Sequence, residues 1–445
     1  MPTEPGYRPV PGRVLHVLTN SLPHTGSGYA QRSHAILTSL RDEGFDAAAV
    51  TRPGYPVQIG VPWAAQRDVV DGIGYARLLP ARLAQGQAAR IQQHAELLAA
   101  HVRRHRPALL HTTTHFVNAL AVEAVARAFG IPWVYEVRGQ LADTWAAVRG
   151  PEALASERYR LFQEREAEAA RRADGVVTLG AGMRDRLVAA GVAEDAVVLC
   201  PNAVGPAFVA ERVDRDEARA RLGWDLPTDA FVVGTVSSLV DYEGLDTLLR
   251  AAARLAPHRP GLRVHIAGDG VARPGLQALA AELGIAELCA FPGRVDREDA
   301  RLHHAALDVF TVPRRDLPVT RAVTPMKTVE ASATGRPVVA SDLPALAELV
   351  DHGRTGLLVP AEDPAALADA LARRAEMSMP EFYAVFTNLV QFAEVGQGNM
   401  NWPALLPAAE KAGAEYFLIE QDDTYGRDPI DCIRESREYL RSIGY

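Results

Sequence analysis

The run from Val323 to Asp342 limits the fold of this chain more than any other stretch, because it specifies a loop, a helix, a turn and a buried strand in direct succession. Thr324 is suited to cap the helix, since its hydroxyl can accept from a first-turn amide. Pro325 fits the first helical position, where its missing N–H costs nothing. Gly335 can take the left-handed conformation that ends a helix. Pro337 blocks continuation, and Val338-Val339-Ala340 is a short apolar run suited to a buried parallel strand.

The start of that helix is where chemistry concentrates. Free amides and the helix dipole suit an anion such as a phosphate. Lys327 falls in the first turn, where a cation is disfavoured unless an anion is bound nearby, and Glu330 follows on roughly the same side. A cation for phosphate and a carboxylate for hydroxyls is the pair a nucleotide-sugar site needs. The same spacing also describes an ordinary Lys–Glu pair on a solvated face. Composition bears on the choice: of 47 Lys plus Arg, only Lys327 and Lys411 are lysines. Where almost every cation is Arg, a retained Lys points to a need for a compact ammonium rather than a planar fork, with chance retention as the alternative.

At 445 residues, 48% hydrophobic and 23% charged, the chain reads as about two or three soluble globular domains. A formal net charge of −8 argues against nucleic acid as a partner. Cys200, Cys289 and Cys432 are too widely spaced for a metal motif and suit a reducing compartment. No signal-like apolar run precedes Val14, and no stretch reaches the roughly 18 apolar residues of a membrane span. The expected location is cytoplasmic, with peripheral contact at a membrane left open.

Taken in order, residues 1–12 read as a flexible leader. Residues 14–18 form a strand that runs into a loop carrying Gly26 and Gly28, then a helix over 30–43. Strand, glycine loop and helix open a doubly wound sheet, and such glycines allow close backbone approach to a ligand, although many are only tight turns. Strands follow at 47–51, 109–111, 131–137, 175–179 and 196–199, with helices over 87–106, 118–129 and 156–173. His115, Glu136 and Arg138 lie at strand ends, where ligand groups sit; a structural ion pair is the other reading for Glu136 with Arg138. A first domain over 13–206 and a second over 207–374 are expected. The second alternates strands at 231–236, 262–267, 289–291, 309–312, 338–340 and 356–359 with helices. Two such halves predict an α/β protein with a ligand cleft between doubly wound domains.

Several segments carry a resemblance to a known family: residues 27–32, 53–56, 134–139, Pro201-Asn202-Ala203-Val204, Tyr242-Glu243-Gly244-Leu245, and the whole of 323–356. Residues 13–372 resemble the retaining glycosyltransferases of family 4, whose GT-B fold faces two Rossmann-like domains across a cleft. The resemblance implies a nucleotide-diphospho-sugar donor held mainly by the second domain. It implies Glu330 on the ribose hydroxyls and the amides after Thr324 and Pro325, with the Gly26–Gly28 loop, facing the diphosphate. Lys327 would offset leaving-group charge. Asn202, Ser238 and Arg321 join the donor contacts, Arg138 joins Lys327 and Glu330 as catalytic, and His115 and Glu136 contact sugar or acceptor. Neither metal nor cofactor is implied, and the acceptor is a glycan, a lipid-linked sugar or a small molecule. The sequence also departs from the family. Ala322 stands where many members have a second glutamate. Ser238 and Glu243 stand near the usual Arg and Lys, and Arg138 replaces a frequent His. The phosphate charge would then rest on Lys327, Arg138 and Arg321. A nucleotide-sugar epimerase and a non-catalytic nucleotide- or sugar-binding protein are the competing classes.

Composition changes near Arg374. Residues 380–445 resemble the last two strand–helix units of the sugar phosphate isomerase/epimerase family, a TIM barrel related to xylose isomerase. A strand over 414–423 would carry Glu420, which matches a metal ligand of that family. Two such units cannot close an eight-stranded barrel, and one carboxylate builds no metal site, so no isomerase activity is expected. A fused or chimeric segment over 375–445, an α/β tail packed on the GT-B body, and a native capping subdomain all remain open.

Overall fold

The computed structural model describes residues 2–205, 208, 213–227, 229–376, 402–411 and 427–445. They divide into two compact units, Met1–Ala375 and Glu376–Tyr445. The first unit holds two sheets. One contains β1 (Arg13–Leu18), β2 (Asp46–Thr51), β3 (Arg67–Val70), β4 (Ile73–Arg77), β5 (Leu109–Thr113), β6 (Trp133–Val137), β7 (Gly175–Thr178) and β8 (Val197–Leu199). Their order is β3-β4-β2-β1-β5-β6-β7-β8. The other contains β9 (Phe231–Val236), β10 (Leu262–Ala267), β11 (Cys289–Gly293), β12 (Val309–Val312), β13 (Val338–Ser341) and β14 (Gly356–Val359), in the order β11-β10-β9-β12-β13-β14. Every pairing is parallel except β3 with β4. This is the two-domain, doubly wound α/β architecture expected from the alternation of strands and helices.

The central strands are largely buried and mostly apolar, as strands covered on both faces are, but they also bury His16, His111, Glu136 and His265. Helix Leu245–Leu255 shows the matching pattern: Leu245, Leu248, Leu249, Ala252 and Leu255 are buried at helical spacing. They join Val233, Val264 and Ile266 of β9 and β10 in one core. A separate core under the first sheet gathers Leu15, Val17, Leu110 and Tyr135 with Ala121, Val122 and Val125 of helix Phe116–Phe129.

Three expectations need correction. Residues 2–12 are not a loose leader. The Tyr7 hydroxyl donates to Pro107 O at 2.6 Å, its ring sits 5.0 Å from that of Phe129, and the Glu4 amide donates to Ala128 O at 2.7 Å. Apolar contact and paired backbone hold the segment on the first domain. Second, β3 and β4 were not anticipated, although Asp71-Gly72 announces them. Their φ angles of 48° and 79° make the tight turn that joins twisted antiparallel strands. Third, the helix expected from Pro325 is Met326–Ala333, with Pro325 extended at the cap position. Thr324 caps nothing: its hydroxyl is buried without a hydrogen-bond partner.

In the second unit, helix Trp402–Lys411 and helix Pro429–Ser442 are described. Asp428 caps the latter by accepting from the Ile430 and Asp431 amides at 2.8 and 3.3 Å. The strand expected at 414–423, with Glu420, lies outside the described residues.

Candidate active site

Doubly wound sheets bind ligands beyond the carboxyl ends of their strands, where strand order reverses. The reversals fall between β1 and β5 and between β9 and β12. In the second domain this places the loop 237–244 after β9 beside Arg314 after β12 and the start of helix Met326–Ala333.

Lys327 is the centre of that cluster. Its ammonium donates to Ser237 Oγ at 2.7 Å and to Glu243 Oε2, leaving one proton for a ligand. Arg314 grips the same carboxylate with both arms, Nη2 to Oε1 at 3.0 Å and Nε to Oε2 at 3.1 Å. Its Nη1 donates to Val323 O at 2.9 Å, tying β12 to the loop that feeds the helix. Burial pushes the Lys327 ammonium down to about 8, against the upward pull of Glu243. Burial also raises the Glu243 carboxyl, but Arg314 and then Lys327 outweigh it and leave that group at about 2. Two cations on one carboxylate leave a net positive site, and the helix start has no side-chain cap on its amides.

Two glycines shape this site. Gly244 has φ +65°, and a Cβ there would lie 2.0 Å from Pro313 O. Gly268 has φ +130°, and a Cβ there would lie 1.8 Å from Ser237 O. Both close approaches hold the loop that presents Ser237 and Glu243. Glu330 stands one turn beyond Lys327, half-buried, with Oε2 3.6 Å from Nε2 of the buried His304. Lys327 is thus bonded to Glu243 rather than to Glu330, which acts on its ammonium only through space, and Glu330 makes no hydrogen bond to His304, whose ring nitrogens are both without a partner among the described residues.

The first domain contributes a second buried network. Glu136 is fully buried and receives Arg32 Nε at 2.8 Å, Arg138 Nη2 at 2.5 Å and His111 Nε2 at 3.1 Å. Burial raises the Glu136 carboxyl, while Arg138 and His111 bring it well below the ordinary carboxylate range. Arg138 also donates to Tyr29 O and Ser33 Oγ, each at 2.8 Å. Arg138 has both terminal nitrogens engaged inside the first domain and its Nε buried without a partner, and Glu136 is enclosed; neither presents an exposed charge. Arg321 is exposed and bound to Asp316. Of the three cations expected on phosphate, only Lys327 sits in the cluster after β9 and β12. Arg314, at a strand end, is the cation that sequence reasoning passed over.

The two domains meet close to this site. Asn202 accepts from Arg32 Nη1 at 3.3 Å and donates through Nδ2 to Thr324 O at 3.2 Å. Arg186 Nη1 donates to Pro318 O at 3.2 Å. Glu348 accepts from the Ala181 and Gly182 amides, both at 2.8 Å, at the start of helix Ala181–Ala189. Ala322 is buried among the apolar residues of the first domain, a position where a glutamate would bury an unmatched charge.

The remaining candidates are more open. A Cβ on Gly26 or Gly28 would meet nothing within 4 Å, and Ser27 between them caps helix Gly28–Asp42. Ser238 is exposed. His115 caps helix Phe116–Phe129 by accepting from the Val117 amide at 3.2 Å, and burial lowers its pKa. Among the described residues, no group of three or more His, Cys, Asp or Glu is placed to hold a metal ion. Among the same residues, no helix is long and apolar enough to cross a membrane.

A family model described as "Glycosyl transferase 4-like domain" matches residues 27–203, and one described as "Glycosyl transferases group 1" matches residues 230–376. The chain is 37% identical over 167 residues to a D-inositol 3-phosphate glycosyltransferase of Thermomonospora curvata, covering 36% of this chain and 37% of that protein. It is 39% identical over 166 residues to the protein of the same name from Streptomyces scabiei, covering 35% and 36%. The matches therefore span little more than a third of these relatives. Among solved structures it resembles sucrose-phosphate synthase from Thermosynechococcus elongatus, with a TM-score of 0.65 at 19% identity over 90% of this chain and 98% of that one. It also resembles Anabaena HepE in complex with UDP-glucose, with a TM-score of 0.63 at 18% identity over 97% and 99%.

Proposed function

Because the chain carries both domains of the group 1 glycosyltransferases, we propose that it moves a sugar from a nucleotide-diphospho-sugar to a small-molecule acceptor, with retention of configuration at the transferred carbon. The observation that carries this reading is the Lys327 cluster. A buried ammonium, held by Ser237 and Glu243 with one proton to spare, stands in the first turn of an uncapped helix at a switch point of the second sheet. That arrangement suits a diphosphate whose charge grows as it departs, and fixed donors aimed at developing charge are the main source of such catalysis. Glu330, one turn further on and partly exposed, suits the ribose hydroxyls. Asn202 and the open Gly26–Gly28 loop bring the first domain to the other side of the donor. Neither a metal nor a cofactor is needed for this chemistry. The enzyme would work in the cytoplasm.

The test is a panel of UDP-, GDP-, ADP- and TDP-sugars, starting with the UDP-glucose seen in the HepE structure. Inositol 3-phosphate, named for the curated relatives, is the first acceptor to try. One donor should bind and transfer its sugar, and Glu330→Ala should lose binding to it. A chain that binds none of the donors is not a glycosyltransferase. Conversion of the donor sugar to an isomer without acceptor would instead identify an epimerase.

A further inference from the structure

Glu243 brings a carboxylate into a site that has to hold an anion. It stands in the loop after β9, and its oxygens bond to cations. Oε1 accepts from Arg314 Nη2 at 3.0 Å, and Oε2 accepts from Arg314 Nε at 3.1 Å and from the Lys327 ammonium. All three side chains are buried. A carboxylate close to a diphosphate is an electrostatic cost, so its presence calls for a role that offsets it.

The need comes from the two cations. Lys327 and Arg314 reach the same oxygen of Glu243, and like charges that close repel strongly where water is excluded. Lys327 is the one that can yield, because a buried ammonium gives up its proton and a guanidinium does not. As a neutral amine it would lose the charge that attracts a phosphate. Arg314 pushes Lys327 in that direction. Glu243 pulls against it, joined through space by Glu330 on the same helix. Ser237, the other partner of the ammonium, carries no charge. Tyr242, next to Glu243, has its phenol raised by burial and then by that carboxylate, so it stays neutral over the range where Lys327 titrates. Arg314 also fixes the carboxylate: its fork holds both oxygens, and its Nη1 donates to Val323 O in the loop leading to helix Met326–Ala333.

We propose that Glu243 is a positioning residue for the donor site: locked in the Arg314 fork, it holds the Lys327 ammonium at the helix start as a ready cation, and it does not itself touch the ligand. Its oxygens are already occupied by Arg314 and Lys327, while the ammonium keeps one proton for an anion. That the anion is a nucleotide-diphospho-sugar rests on the glycosyltransferase reading; the hold of Glu243 on Lys327 stands on its own residues.

The test uses the full chain. Lys327 and Lys411 are its two lysines, so protein isotope-labelled at lysine Cε gives two side-chain signals in NMR spectra, and Lys327→Met assigns them. Without ligand, Lys327 should lose its proton at lower pH in Glu243→Gln than in the wild type, by roughly one to three pH units. Arg314→Gln should move that titration the other way, and Ser237→Ala should leave it in place. Glu243→Asp keeps the charge but shortens its reach; where Glu243→Gln does not fold, this variant should show the same downward shift at smaller size. Binding of the UDP-, GDP-, ADP- and TDP-sugars is then measured against pH by calorimetry on the same proteins, and the alkaline loss of affinity should follow the Lys327 titration in each. Lys327 titrating at the wild-type pH in both Glu243 variants overturns the proposal. So does a donor affinity that falls by one factor at every pH, as a merely structural ion pair would give. A shifted Lys327 with no donor bound leaves the hold of Glu243 on Lys327 standing and removes the transferase reading. A bound donor with an unshifted Lys327 does the reverse.

Discussion

Raising the pH from 7 to 9 should weaken binding of a nucleotide-diphospho-sugar about tenfold, with Lys327 as the cause. In the unliganded protein its ammonium titrates at about 8, so roughly nine-tenths of molecules carry the charge at pH 7 and about one-tenth at pH 9. A diphosphate binds the charged form, so binding at high pH must first restore a proton. Each pH unit above the free-protein value costs about 1.4 kcal/mol, or tenfold in affinity. The sign follows from the direction of the shift: burial lowers the pKa, the ligand raises it again, and affinity is full below about pH 8 and falls above it. Glu243, held at about 2, stays ionised throughout and adds no slope. Titration calorimetry in buffers of different ionisation enthalpy would read both the affinity and the proton taken up. Lys327→Met should lose about 1.5–3 kcal/mol at pH 7, the worth of a hydrogen bond to a charged group, and should then show no pH dependence over this range. A wild-type affinity that stays flat from pH 7 to 9, or a slope that persists in Lys327→Met, would refute the placement of the diphosphate on Lys327.

Other consequences follow from the same geometry. Glu243→Gln strands Arg314 and Lys327 without their shared carboxylate, so the free energy of unfolding in urea should fall by about 3–5 kcal/mol. Gly268→Ala puts a methyl 1.8 Å from Ser237 O at a φ that L residues rarely adopt; it should shift the 237–244 loop, weakening donor binding and destabilising the fold by more than about 1 kcal/mol. Glu348→Ala removes the carboxylate from the Ala181 and Gly182 amides. Hydrogen exchange at those two amides should quicken, with an exposed contact of this kind worth about 0.3–1 kcal/mol.

What could be read from sequence was local, and what could not was the long-range pairing of charges. The helix start, Lys327, Glu330 and the left-handed Gly335 all lie within one run whose turns and caps obey short-range rules; even there the cap moved by one residue, because Thr324 sits buried where its hydroxyl reaches nothing. The Asp71-Gly72 hairpin was equally local and simply passed over. The partners of the charged groups obey no such rule. Lys327 finds Glu243 84 residues away, Arg314 finds Glu243 71 residues away, and Arg32 finds Glu136 104 residues away.

Arg138 is a separate case, because its partner Glu136 lies two residues away and the sequence left both an ion pair and a ligand role open. A cation at a strand end beside a glycine is as good a phosphate ligand as any, until a buried carboxylate two residues back claims its charge. A buried carboxylate needs its counter-charges, since an unpaired ion in that environment costs far more than a solvent-exposed pair returns. Glu136 takes Arg32, Arg138 and His111, and Glu243 takes Arg314 and Lys327. The two clusters differ in one respect that bears on function. Around Glu136, Arg138 has both terminal nitrogens occupied within the first domain, and its unpartnered Nε is buried away from solvent. Around Glu243, the Lys327 ammonium keeps a proton unspent at a helix start. Arg32 connects the clusters through Asn202 and Thr324 O, so the first-domain network ends within a few residues of Lys327, the group proposed to meet the donor. Loss of Asn202 should therefore alter donor affinity while leaving both carboxylates paired, and an Asn202→Ala protein with wild-type donor affinity would show that the two clusters act independently.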